Sequence, residues 1–433
     1  MKICMFTNTY LPHVGGVARS VASSTEDLIK MGHDVMVVAP TFPDSTPEID
    51  ARHQVLRVPA LQNFNGSDFS VRLPLPFTIN KEVQNFGPEI LHSHHPYLMG
   101  DSALRLARQY DLPLVFTHHT LYERYTHYVP FDSKTMKRFV IHLSTEYANM
   151  CSSVVAPSDS VAGMLRERGV TVPVEVIPTG VDIDFFAGGQ KEKLRKSLGI
   201  GPDIKVIGHL GRLAREKNLD YLSEAVVHYL KEDQNAVFLV AGLGPYQEDM
   251  QKIFEQSGLA DRFIPAGKMT GQDLADAYKA MDLFVFSSQS ETQGMVIAEA
   301  MAAGRAVIAL DASGAREIVE DNENGRLLDA ESSPSEFAQA IKEFFQDGEK
   351  RKNWEKKAID TAKLFSRETC SRRLTGLYEN VLATFVREHG QTYEKLIFWD
   401  SLLRGIKAQW QVLSRKTSAA ASVLKAKDEG LDQ

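Results

Sequence analysis

MDLFVFSSQSETQGMVIAEAMAAGR, residues 281–305, is the stretch whose reading decides the fold. Residues 283–286 form a short run of bulky apolar side chains, which predicts a buried strand. Residues 287–294 are small and polar and end on a glycine, which predicts a loop. Residues 295–303 are strong helix formers, and Gly304 is the stop. The order strand, loop, helix puts the loop at the carboxyl end of the strand. Open α/β sheets bind ligands at that edge, and the amides of a helix N-terminus favour an anion. Two carboxylates flank that anion site, Glu291 in the loop and Glu299 about one turn into the helix. At that separation they cannot work as one acid/base pair on one helix. They can grip two different parts of an elongated anionic ligand.

The rest of the chain repeats this alternation twice over. In the first half, strands are predicted at 2–7, 34–39, 55–59, 89–94, 112–118, 153–156 and 174–177. From Lys205 the pattern restarts, with strands at 206–210, 237–241, 262–265, 283–286, 306–310 and 325–328. Strands separated by helical stretches predict parallel sheets covered on both faces. With 433 residues, 43% hydrophobic and 24% charged, the composition is that of a soluble globular protein of about two to three domains.

Other classes are disfavoured. A formal charge of −7 gives no global attraction for nucleic acid. Cys4, Cys151 and Cys370 are too far apart to suggest a disulfide framework or a zinc spacing, so a reducing compartment is expected. The opening MKICMFTNTY is too poor in apolar residues for a signal peptide. No run approaches the roughly 20 apolar residues that span a bilayer.

Several clusters carry chemistry. Gly15-Gly16 lies between the first strand and a helix predicted at 18–31. A glycine pair there lets a ligand approach the backbone, or simply makes a tight turn. It is not the dinucleotide G-x-G-x-x-G pattern. Histidines crowd two strand ends: His92, His94 and His95 on one, His118 and His119 on the other, with His127 nearby. His92 and His94 share a strand face, so zinc is conceivable. The absence of carboxylate or thiolate at ligand spacing favours a polar cleft in which one or two histidines touch substrate. LYERYTHYVPF, residues 121–131, is either a packed aromatic loop or a wall for a bulky apolar acceptor. Asp182-Ile183-Asp184 has the form of a metal-holding Asp-x-Asp, but Phe185 and Phe186 after it favour packing.

In the second half, the first strand runs into Gly211-Arg212-Leu213, with Lys217 soon after. Arginine offers a planar fork to phosphate oxygens and lysine a point charge, a suitable pair for a diphosphate. Gly242-Leu243-Gly244, after the next strand, is a second place where backbone can come close to a ligand. Alone, each is unremarkable surface. Together they lie along one edge of one sheet.

These residues carry a resemblance. Gly15-Gly16-Val17, His119, Pro157-Ser158, Pro178-Thr179-Gly180-Val181-Asp182, Gly211-Arg212-Leu213 with Lys217, Gly242-Leu243-Gly244 and the Glu-x7-Glu pair Glu291/Glu299 resemble the family 4 retaining glycosyltransferases. The resemblance covers residues 1–385 and implies the GT-B fold: two Rossmann-like α/β domains facing across a cleft. The implied division is an acceptor domain at 1–186, a nucleotide-sugar domain at 187–370, a helix crossing back to the first domain at 371–389, and a tail at 390–433.

The resemblance also implies roles. Gly15 and Gly16 would face the donor phosphates, and His119 would contact the transferred sugar. Arg212 and Lys217 would neutralise the leaving diphosphate. Glu291 would hold sugar hydroxyls and Glu299 the ribose hydroxyls. Gly242 and Gly244 would belong to the donor site. The backbone of Gln293, Gly294 and Met295 would hold sugar and phosphate, and the backbone near Lys268 and Met269 would meet the base. No metal is obligatory, though magnesium is compatible. Residues 117–128, 92–100 and 290–294 look most like enzymes that glucosylate diacylglycerol, which implies UDP-glucose as donor and a lipid acceptor; the alternatives are another UDP-hexose or GDP-mannose as donor, and a soluble sugar, sugar phosphate or polysaccharide precursor as acceptor.

The tail adds a separate signal. Leu396, Trp399, Leu403, Ile406, Trp410 and Leu413 recur at helical spacing, and Lys395, Arg404, Lys407, Arg415, Lys416, Lys425 and Lys427 add positive charge. A cationic amphipathic helix of this kind can lie on an anionic bilayer or pack on protein. The expected location is cytoplasmic, peripheral on the inner face of the membrane.

Overall fold

The computed structural model describes residues 1–13, 15–42, 54–61, 71–72, 76–124 and 133–389. The tail stripe at 390–433, His127 and most of the aromatic loop lie outside them. The chain divides into two compact units, Met1–Pro178 with Cys370–Gln433, and Thr179–Thr369.

The first unit is built on a seven-stranded sheet. Its strands are β1 (Lys2–Phe6), β2 (Asp34–Pro40), β3 (Val55–Val58), β6 (Ile90–Ser93), β7 (Leu114–Thr117), β8 (Ser153–Ala156) and β9 (Val174–Val176), in the order β3-β2-β1-β6-β7-β8-β9. All pairings are parallel. A separate antiparallel pair joins β4 (Ala60–Leu61) to β5 (Val71–Arg72). The helix expected at 371–389 starts four residues earlier and spans Arg367–His389. Its Leu374, Leu377, Tyr378 and Val381 share a core with Ile3, Met5, Val37 and Val155 on one face of the sheet. That apolar stripe continues to the first turn of the helix only through polar residues, so hydrophobic spacing alone could not locate its start.

The second unit has six parallel strands: β10 (Lys205–Leu210), β11 (Ala236–Ala241), β12 (Phe263–Gly267), β13 (Leu283–Phe286), β14 (Ala306–Leu310) and β15 (Gly325–Leu328). Their order in the sheet is β12-β11-β10-β13-β14-β15. In β13, Leu283 and Val285 enter one core while Phe284 and Phe286 enter the other. A strand buried on both faces is continuously apolar, which is why 283–286 could be recognised. Each fully buried side chain of this size contributes roughly 1.5–3 kcal/mol. The helix after it, Met295–Ala302, is apolar nearly all round and buried from Ile297 onward, so it sits inside the unit.

The chain joining the units is tied to the second one. Val181 pairs with Ser366, and a side chain on Gly180 would lie 2.5 Å from the Arg367 Cα. Only glycine fits there. Asp182 accepts from the Phe185 amide at 3.0 Å and caps the helix Ile183–Ala187. That role accounts for its place in the Asp-x-Asp. No group of histidine, cysteine or carboxylate residues suited to a metal occurs among the described residues. Likewise, no described helix is long and apolar enough to cross a membrane.

Candidate active site

In the second unit the chain leaves β10 for β11 and β12 on one side, then returns to place β13 on the other. The gap between β10 and β13 is therefore the topological switch point, where the loops diverge and open α/β sheets take their ligands. Two loops border it, 211–218 after β10 and 287–294 after β13.

These loops are laced together. Ser287 Oγ donates to the Lys217 carbonyl at 3.1 Å and to the Asn218 carbonyl at 2.9 Å. Ser290 Oγ donates to the Glu216 carbonyl at 3.0 Å. Lys217 Nζ lies 2.5 Å from Glu291 Oε1, and Ser288 Oγ donates to the same oxygen at 3.0 Å. The pair is mostly screened from water, with 14% of the Lys217 side chain and 21% of Glu291 exposed. Burial pushes the Glu291 carboxyl up, yet the charge and hydrogen bonds of Lys217, with Ser288, outweigh it and hold it below the ordinary carboxylate value. Glu291 is thus an anion, already oriented. Arg212 is more open, 47% exposed, and its guanidinium is paired with Glu216.

Other predicted residues are placed as follows. Gly294 caps the helix Met295–Ala302 in a left-handed conformation, φ +72°. A side chain there would lie 2.5 Å from the Gly314 carbonyl, in the loop after β14. The Gln293 side chain pairs with both backbone groups of Thr179, accepting from its amide at 2.7 Å and donating to its carbonyl at 2.8 Å. Glu299 is only 1% exposed, and its Oε2 accepts from the Tyr278 hydroxyl at 2.7 Å. A buried carboxylate is costly without such a partner. Lys268, exposed, and Met269, half-buried, follow the end of β12 at the same edge.

Gly242 and Gly244 have a reason that spacing did not reveal. A side chain on Gly242 would lie 1.8 Å from the Gly211 carbonyl, and one on Gly244 would lie 2.0 Å from the Leu213 carbonyl. The Leu213 amide donates to the Leu243 carbonyl at 3.0 Å. The glycines let the loops after β10 and β11 pack backbone to backbone. Gly244→Ala should cost roughly 1–3 kcal/mol through overpacking, read as a fall in the thermal midpoint. An unchanged midpoint would mean the loops part freely.

In the first unit, β1 and β6 flank the corresponding switch point. The Asn8 amide donates to His95 Nδ1 at 3.1 Å, and Asn8 Oδ1 accepts from the Met99 amide at 3.0 Å. His92, His94 and His119 pack ring on ring across β6 and β7, with centroids 4.2 Å apart between His92 and His94 and 5.2 Å between His94 and His119. His94 Nδ1 and His119 Nε2 are 2.9 Å apart. His92 lies between the Tyr378 hydroxyl, 2.6 Å from Nδ1, and Thr117 Oγ1, 2.7 Å from Nε2. Burial lowers the pKa of His92 to about 3 and of His95 to about 3. Burial and the neighbouring imidazoles hold His94 and His119 well below the usual value. The cluster is neutral at physiological pH, so His119 is offered as a neutral hydrogen-bonding group. In the same unit, Gly15 stands at the head of the helix Gly16–Lys30, and a side-chain carbon placed on Gly16 would meet no atom within 4 Å.

Two family models match the chain, Glycosyltransferase Family 4 over residues 14–185 and Glycosyl transferases group 1 over residues 190–361. The α-monoglucosyldiacylglycerol synthase of Streptococcus pneumoniae is 32% identical over 317 residues, 71% of this chain and 71% of that one. The chain is a family 4 glycosyltransferase. A GDP-mannose-dependent α-mannosyltransferase of Corynebacterium glutamicum is 29% identical over 337 residues, 76% of this chain and 77% of that one. The crystal structure of Anabaena HepE in complex with UDP superposes with a TM-score of 0.72 at 21% identity, covering 88% of this chain and 100% of that one. That likeness shows a common fold, the two-domain GT-B class.

Sequence reading of this glycosyltransferase missed Ser287, Ser288, Ser290, Asn218 and Gly314. The serines read only as a small polar loop. Their clustering directly after a buried strand was the available signal, since such residues bond readily to nearby backbone. His209, on β10 beneath Gly211, was also missed.

Proposed function

We propose that this glycosyltransferase moves a hexose, glucose in our reading, from a UDP-sugar to a lipid acceptor such as diacylglycerol, with retention of anomeric configuration. The observation that carries the reading is the Lys217–Glu291 pair spanning the β10/β13 switch point. It supplies a cation for a leaving diphosphate and an oriented carboxylate for sugar hydroxyls within one loop pair.

In this reading, cleavage of the sugar–phosphate bond leaves charge on the diphosphate and an oxocarbenium-like sugar. Lys217, Arg212 and the amide end of Met295–Ala302 stabilise that charge without reorganising. Glu291 holds the sugar, and Glu299 and the backbone at Gln293, Gly294, Lys268 and Met269 serve the nucleotide. Gly15, Gly16 and the neutral His119 serve the phosphates and the transferred sugar. The leaving phosphate takes the acceptor proton on the same face, so no protein nucleophile is needed. The chain's likeness to the Streptococcus α-monoglucosyldiacylglycerol synthase supports both the acceptor class and retention. The cationic stripe at 390–433 supports work at the inner face of a membrane.

The Corynebacterium relative favours a second reading, mannosyl transfer from GDP-mannose. One assay separates them. The chain, with and without residues 390–433, is incubated with radiolabelled UDP-glucose, UDP-galactose or GDP-mannose and diacylglycerol vesicles or soluble acceptors. The expected result is label from UDP-glucose entering the organic phase, with less transfer when the tail is removed. Label from GDP-mannose alone, or only water-soluble product, would overturn the first reading.

A further inference from the structure

His209 is a buried titratable group that the mechanism above leaves unused. It lies on β10, 1% exposed, two residues before the turn that carries Arg212 and Lys217. Its Nδ1 is 3.1 Å from the Val285 carbonyl oxygen. A carbonyl only accepts, so Nδ1 carries the ring proton and Nε2 presents a bare lone pair.

That lone pair is buried and has no hydrogen-bond partner. An acceptor stripped of water and left unpaired is unfavourable, so its retention calls for a donor. The rings of Phe284 and Phe286, each 6.2 Å away between centroids, offer none. A side chain on Gly211 would meet Nε2 at 3.7 Å and no other atom within 4 Å. The nitrogen therefore lies beside Gly211, at the head of the Gly211–Lys217 turn. The charged groups whose fields reach the ring are Lys217 and Glu291. Of these, only the ammonium is a donor.

We propose that His209 is a positioning residue for Lys217, whose ammonium turns one N–H to His209 Nε2 when the diphosphate of the donor draws it from Glu291. The inference rests on the nucleotide-sugar reading of this site. An ammonium has three N–H groups, and Glu291 takes one of them while also cancelling its charge. An imidazole lone pair orients the same group and leaves the full charge for phosphate. Glu291 is then released to the sugar hydroxyls. Burial keeps the His209 pKa at about 4, so the ring stays an acceptor at working pH.

Three substitutions separate this role from packing. His209→Gln keeps an acceptor at the ε position. His209→Asn keeps a donor toward Val285 and loses the ε acceptor. His209→Phe loses both. Calorimetric titration of the full chain with UDP and GDP, and with uridine and guanosine as controls, is the test. The dissociation constant for the nucleoside diphosphate should rise roughly tenfold in His209→Phe and His209→Asn and change little in His209→Gln, as expected for a hydrogen bond to a charged group. Affinity for the nucleoside should be unchanged in all three. Loss in His209→Gln equal to that in His209→Asn, equal loss for nucleoside and diphosphate, or no loss in His209→Asn overturns the proposal. A wild-type chain that binds neither UDP nor GDP overturns the donor reading itself, and this inference with it.

Discussion

Glu291→Ala and Lys217→Ala are each expected to lower turnover by about 10²–10³-fold, the loss typical when one preorganised group at a developing charge is removed. The two act as a unit, linked Nζ to Oε1 at 2.5 Å across the β10/β13 gap. Removing Glu291 takes a carboxylate away from an ammonium that is 14% exposed. That cation then binds the nucleoside diphosphate product more tightly while the sugar loses its anchor. Removing Lys217 leaves the leaving group without its nearest cation. Because each deletion disables the same step, the double variant should be little worse than the poorer single one. Steady-state rates for the four proteins, with their thermal midpoints, decide the matter. The loops should hold, since Ser287 and Ser290 keep them joined through the backbone of Glu216, Lys217 and Asn218. Full activity in either single variant, or losses that multiply in the double, would remove the pair from the reaction.

The parts of this molecule that could be read from sequence are those set by continuous burial. Parallel strands covered on both faces leave apolar runs such as Leu283–Phe286 and Ala306–Leu310, and these were found to the residue. Strand ends drifted by one or two residues, as at Ile90–Ser93 and Leu114–Thr117, because polar His94 and His118 continue the chain direction without continuing the ladder. The helix Arg367–His389 began earlier than its apolar stripe. What sequence could not show was partnership. Gly242 and Gly244 looked like room for a ligand, whereas the atoms crowding them are the backbone of Gly211 and Leu213. Glu299 looked open to ribose, yet Tyr278, twenty-one residues away, holds its Oε2. The histidines were visibly gathered at neighbouring strand ends. That His94 would bond His119, and His92 would bond Tyr378 on the last helix, depended on tertiary packing.

That histidine cluster predicts where the protein fails in acid. His92 and His95 have pKa values lowered by burial to about 3, and His118 to about 4. In the unfolded chain each returns to about 6.5. The unfolded state therefore binds more protons throughout the interval. The stability these rings contribute is complete above pH 6.5 and is lost as the pH falls from there toward 3–4. By pH 5 each ring costs about 2 kcal/mol relative to neutral pH. Three together approach the whole stability of an ordinary domain, about 5–15 kcal/mol. The first unit should thus unfold cooperatively near pH 5. Amides of β1, β6 and β7 should lose hydrogen-exchange protection there before those of β10 and β13, whose unit holds one such ring, His209. His118 offers a specific check. Neither of its ring nitrogens has a hydrogen-bond partner, and the ring packs edge-on to Phe116 and Tyr122 at 5.8 and 5.6 Å. An apolar ring of similar shape forfeits no hydrogen bond there and cannot take up a proton. His118→Phe should lower the acid midpoint while leaving neutral stability within about 1 kcal/mol. Protection in the first unit that persists unchanged to pH 4, or a His118→Phe midpoint equal to wild type, would show that these imidazoles do not govern its acid stability.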